Sequence, residues 1–69
     1  MNNSNEEAFL AELKRTETSI TVFLLTGTKL QGILADYDYG ALFLRREGHM
    51  QMIFKHAVST VMPSLPLLF

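Results

Sequence analysis

The chain has 69 residues, 48% of them hydrophobic, with six basic and seven acidic side chains and a formal net charge of −1. That length allows one domain, and a chain of about 60 residues buries only about 60% of the surface it exposes when unfolded, so with no cysteine to form a disulfide the expected source of extra stability is self-association. The charge balance excludes binding of nucleic acid by overall basicity, and any anion site must be local.

The polar start Met1-Asn2-Asn3-Ser4-Asn5-Glu6-Glu7 lacks the basic n-region of a signal peptide, and no apolar run approaches the length of about 18 residues that reads as a membrane span. A soluble, cytoplasmic protein without membrane partners is the expectation. Ser4 or Asn5 suits a helix cap, Glu6 and Glu7 suit the positive end of the helix, and Lys14 and Arg15 suit the negative end. Phe9, Leu10 and Leu13 share one stripe, which predicts a helix over 4–16.

From Ser19 the period becomes two. Ile20, Val22 and Leu24 alternate with Ser19, Thr21, Phe23 and Leu25 up to the break at Thr26-Gly27-Thr28. Lys29 to Asp36 returns as a second strand, with Gly32 in its interior marking a bend or a close backbone approach. Tyr37-Asp38-Tyr39-Gly40 reads as a turn, with Asp38 holding backbone amides, and Ala41 to Arg45 reads as a third strand. Arg46-Glu47-Gly48-His49 connects to a fourth strand, Met50 to Lys55. After a corner at His56-Ala57, Val58 to Met62 forms a fifth strand that Pro63 closes, since proline cannot donate into a ladder.

The outline is a mainly β single domain over 1–69: a helix at 4–16, a strongly bent five-stranded antiparallel sheet at 19–63 forming a small open barrel, and a short apolar tail at 64–69 expected to pack on the body or on a neighbour. An open barrel keeps two edge strands unless neighbouring copies cover them.

Taken in order, Phe23-Leu24-Leu25-Thr26-Gly27-Thr28-Lys29-Leu30-Gln31-Gly32, then Tyr37-Asp38, then Phe54-Lys55-His56-Ala57-Val58-Ser59-Thr60 with Pro63, resemble the two signature segments of the bacterial Sm-like RNA chaperone family Hfq. The likeness runs from about Phe9 to Pro63, and Lys-His-Ala-x-Ser-Thr is its sharpest part. It implies a homohexameric ring of sheets paired edge to edge beneath a layer of helices. Single-stranded RNA would bind on both faces and at the rim, with uridine-rich ends of small RNAs on the helix side, adenine-rich messenger RNA on the other, and pairing of the two promoted.

Carried over residue by residue, the resemblance assigns Lys55 and His56 to the helix-side (proximal) site, with Tyr39 and Glu6 beside them. The bland reading of the first pair is a surface lysine and a histidine settled at a strand corner. The stacking aromatic expected at position 40 is Gly40 here, and Tyr39 one place earlier points to the other side of an extended chain, so uridine binding is expected to be the weaker activity. The adenine (distal) site would comprise Phe23, Leu24, Thr26, Gly27, Lys29, Leu30, Gln31, Gln51 and Thr60, with Phe23 stacking a base and Gln31 reading an edge. For Phe23 and Leu30 the bland reading is packing. Lys14, Arg15 and Tyr37 would form the rim, a thin patch with only two cations, whereas Arg45 and Arg46 read as solvated turn charges.

Two other readings stand beside this one. In the first, the ring has weakened uridine binding and acts mainly as a protein-interaction or assembly module, for which RNA-decay proteins are candidate partners. In the second, an enzyme, there is little to work with: two histidines, no cysteine, no metal-ligand spacing and no Walker-type loop, and no cofactor is called for.

Overall fold

The computed structural model describes residues 4–66. A helix, α1 (Ser4–Thr16), precedes strands β1 (Ser19–Leu24), β2 (Lys29–Tyr37), β3 (Ala41–Arg46) and β4 (His49–Phe54), a single 3₁₀ turn (Lys55–Ala57) and β5 (Val58–Pro63). The strands make one antiparallel sheet in the order β4-β3-β2-β1-β5. Ser4 is already helical, so the cap that the sequence suggested at Ser4 or Asn5 falls outside the described residues. Glu17, in left-handed backbone with φ 53°, stops the helix while its N–H still donates to the Leu13 carbonyl at 3.1 Å.

Periodicity explains the core. Leu10 and Leu13 press the apolar stripe of α1 onto Ile20, Val22, Leu34, Leu42, Leu44 and Ile53, and Leu13, Val22, Leu34 and Leu44 are wholly buried. Three features bend the sheet around this core. At Gly32 an added Cβ would lie 2.6 Å from the Arg45 carbonyl oxygen and 3.0 Å from Leu44 Cγ, so β2 and β3 approach more closely there than a side chain permits. Between Leu34 and Asp36 the β3 partner moves by only one residue, which leaves Ala35 as an extra residue on β2. Ser59 is extra on β5 in the same way, where the partners step from Phe23↔Thr60 to Leu24↔Val58. Such bulges raise the twist and bend the strand that carries them.

The strand limits differ from the sequence expectation at the corners. Glu47 (φ 53°) and Gly48 (φ 82°) form a two-residue hairpin loop, so Arg46 and His49 pair with each other and both strands are longer than expected. Lys55 leaves the sheet to start the 3₁₀ turn, and Pro63 is the last residue of β5. In the tail, the Ser64 N–H donates to the Ser19 carbonyl at 2.9 Å and Leu65 is exposed, while Leu67, Leu68 and Phe69 lie outside the described residues. Strands β4 and β5 each pair on one side only, and Met50, Met52, Phe54 and Met62 stand exposed along them.

Candidate nucleic-acid interface

The turn after β2 and the turn after β4 meet beneath the start of α1. Asp38 Oδ1 accepts from the N–H groups of Gly40 (3.0 Å) and Ala41 (2.9 Å), the turn role expected of it, and the Lys55 N–H donates to the Gly40 carbonyl at 2.8 Å. These bonds bring Tyr39-Gly40 and Lys55-His56 together, although fifteen residues separate Gly40 from Lys55. The His56 ring is exposed and lies almost parallel to Phe54, with centroids 5.6 Å apart. Tyr39 is 96% exposed at the turn tip, and Glu6, Tyr37 and Lys55 line the groove of about 490 Å³ beside it.

The sequence did not reveal that this groove carries its own anions. Lys55 Nζ bonds Glu6 Oε2 at 2.8 Å and lies 5.9 Å from the centre of the Tyr37 ring. The Tyr37 hydroxyl donates to Glu7 Oε2 at 2.7 Å, which holds its pKa above the ordinary phenol value, helped by partial desolvation. The rim is neutralised in the same manner. Lys14 bonds Asp36 at 3.1 Å and Arg15 bonds Glu12 at 2.6 Å, and each carboxyl is held below the usual range chiefly by that hydrogen bond. Tyr37, assigned to the rim, therefore also belongs to the helix-side groove.

The other face of the sheet is built by register. Thr21 lies opposite Gln31, and Phe23 lies opposite both Lys29 and Thr60, so Thr21, Phe23, Lys29, Gln31 and Thr60 share the face turned away from the core. Leu24 and Leu30 have the opposite parity and pack against the core, while Thr26 and Gly27 lie exposed in the β1–β2 turn. Gln51, opposite Leu44 on edge strand β4, is exposed. Gly27, with φ 96°, suits glycine at that turn, and its N–H donates to the Leu24 carbonyl. Arg46, read from sequence as a turn charge, donates from Nη1 to Gln31 Oε1 at 3.3 Å and so joins this face. Only the β2–β3 register reveals that neighbour.

This arrangement has known counterparts. A sequence model of the Hfq protein family matches residues 6–68. The chain belongs to the Hfq family. RNA-binding protein Hfq of Bradyrhizobium sp. (strain ORS 278) and that of Rhodopseudomonas palustris (strain TIE-1) are each 47% identical to it over 62 residues, 90% of this chain and 76% of theirs. A crystal structure of the pleiotropic translational regulator Hfq superposes with a TM-score of 0.84 at 32% identity, covering 93% of this chain and 98% of that one. The N-terminal helix followed by a bent five-stranded antiparallel sheet is thus the Hfq fold. No helix among the described residues is long and apolar enough to cross a membrane, and no group of His, Asp and Glu there is arranged to hold a metal.

Proposed function

We propose that this Hfq-family chain is a cytoplasmic RNA-binding regulator that works as a homohexameric ring, holding adenine-rich single-stranded RNA on the sheet face opposite the helix. The observation that carries the reading is the register that gathers Phe23, Lys29, Gln31 and Thr60 on one open face. Phe23 supplies a stacking surface, Gln31 a base-edge contact and Lys29 a charge for phosphate, the combination that single-stranded RNA selects. Each copy binds feebly. Repetition around a ring turns such contacts into avidity because each further nucleotide engages at high effective concentration. The one-sided strands β4 and β5, with Met50, Met52, Phe54 and Met62 along them, support closure edge against edge.

On the helix side, Lys55 and His56 remain the candidates for uridine-rich ends of small RNAs, bordered by Tyr39 and Glu6, with Lys14, Arg15 and Tyr37 at the rim, and pairing of small RNA with messenger RNA would follow. The Glu6–Lys55, Asp36–Lys14 and Glu12–Arg15 pairs support a weaker grip there, since phosphate must displace a carboxylate that is already in place. The same pairs favour a second reading in which the helix side chiefly meets protein, with RNA-decay proteins among the candidates.

Titrating oligoadenylate and oligouridylate separately tests both readings, with native mass spectrometry reporting the ring. Submicromolar adenylate binding with uridylate about tenfold weaker is expected, a gap the size of one lost stacking contact. Equal affinities would remove the asymmetry, and binding of neither would remove the RNA reading.

A further inference from the structure

Arg46 ends β3 at the Glu47-Gly48 hairpin and reaches back across the sheet to β2. Its Nη1 donates to Gln31 Oε1 at 3.3 Å, and Gln31 Nε2 donates in turn to Thr21 Oγ1 at 3.4 Å. Both ends of the Gln31 amide are thereby directed, the oxygen toward Arg46 and the nitrogen toward Thr21. Beside them opens a groove of about 370 Å³ lined by Gln31, Ile33, Arg45 and Arg46. The Arg46 side chain is 52% exposed, and its Nε lies 3.8 Å from Glu47, a loose exposed pair.

The hydrogen-bonding pattern decides what this groove accepts. A free glutamine amide reads adenine by donating to N7 while accepting from N6. Here the amide oxygen is already accepting from Arg46, so the cluster turns mainly N–H groups outward: the second N–H of Gln31 and the remaining donors of the guanidinium, which has five in all. A donor-rich surface matches an edge with two adjacent acceptors. Guanine offers N7 and O6, whereas adenine would set its N6 amino group against another donor. Arg45, lining the same groove, supplies positive charge for the adjoining phosphate.

We infer that Arg46 and Gln31 form a purine subsite that prefers guanine to adenine, on the sheet face opposite the helix. The inference rests on the RNA-binding reading of that face and names the base that one part of it selects.

The test uses the full chain at one fixed salt concentration, with fluorescence anisotropy on two labelled 18-nucleotide RNAs. One is oligoadenylate, and the other carries a guanine at every third position, spaced to prevent quadruplexes. The guanine-bearing RNA should bind about tenfold more tightly, the discrimination expected of one good arginine contact to a base edge. Arg46→Gln should abolish that preference and retain adenylate binding. Arg46→Lys, which keeps the charge and loses the planar fork, should abolish it as well. No preference in the native protein, or a preference that survives in both variants, overturns the inference while leaving adenylate binding intact. Failure of the native protein to bind either RNA overturns the RNA-binding reading itself, and the inference with it. Because Arg46 is exposed, unchanged thermal unfolding of the variants is the accompanying control.

Discussion

The helix side of this molecule and the opposite face of its sheet hold the same number of cations and use them differently. Lys14, Arg15 and Lys55 on the helix side are each bonded to a carboxylate of the same chain. On the other face Lys29 and Arg45 have no acidic partner among the described residues, and Arg46 has only the loose contact to Glu47. Phosphate binding draws its strength from releasing counterions, and a cation already matched by a fixed carboxylate has fewer to release. Counting lysines and arginines in the sequence would rank the two faces equally, yet the pairing makes one a stronger candidate for RNA than the other.

The largest effect should come from the one residue on which both faces depend. Gly32→Ala would drive a Cβ to 2.6 Å from the Arg45 carbonyl oxygen, and a backbone atom cannot rotate away as a side chain can. Overpacking of this kind costs about 1–3 kcal/mol, to be read as a lower urea midpoint at fixed protein concentration. Because Gly32 sets the approach of β2 to β3, adenylate and uridylate affinities should fall together. Loss of one without the other would show that the faces are not coupled through this bend.

A change at position 40 should instead act on one face. An added Cβ at Gly40 meets no atom within 4 Å, and its φ is outside the left-handed region, so a side chain fits both the space and the backbone. Gly40→Phe would set a ring beside Lys55, whose N–H already bonds the Gly40 carbonyl. A base stacked on an aromatic is worth about 1–3 kcal/mol, so uridylate affinity should rise about tenfold while adenylate affinity stays unchanged. Adding Glu6→Gln, which frees Lys55 from its carboxylate, should raise uridylate affinity further and steepen its salt dependence. If neither change strengthens uridylate binding, the helix-side groove is not a uridine site, and the protein-interaction reading gains.

How much of this was legible in the sequence follows the range of each interaction. The five strands were readable because alternation is local, as in Ile20, Val22 and Leu24, and Gly32 stood out because an interior glycine interrupts that pattern. Ala35 and Ser59 gave no signal as bulge residues, since a bulge is a mismatch between two strands and neither strand alone contains it. Lys55 and His56 could be picked out as neighbours in a motif. The partner of Lys55 lies forty-nine residues away and that of Arg46 fifteen away, and no periodicity links such positions. Leu24 and Leu30 show the reverse case. Their strand parity, already visible in the alternation, gives them to the core, and the family likeness had set them among the adenine-site residues.

The smallest expected effect is a pH dependence confined to the helix side. The Asp36 carboxyl is held below its usual range, first by the Lys14 hydrogen bond and then by the Tyr37 backbone N–H, and Arg15 does the same for Glu12. A carboxyl whose pKa is lower folded than unfolded contributes stability above its unfolded value, about 4, and loses that contribution as the pH falls through the lower folded value. The hold of α1 on β2 through Lys14 and Asp36 should therefore be constant from neutrality down to about pH 5 and weaken below about pH 4. Amide hydrogen exchange, corrected for its intrinsic pH dependence, should show α1 losing protection over that interval while β1 and β2 keep theirs. Asp36→Asn should weaken α1 slightly at neutral pH and reduce its further loss in acid, because a side chain that cannot titrate has no pH-dependent contribution to lose. Helix protection that stayed flat down to pH 3 would mean that these pairs, although formed, do not hold the helix to the sheet, and the contrast between the two faces would then concern ligand binding alone.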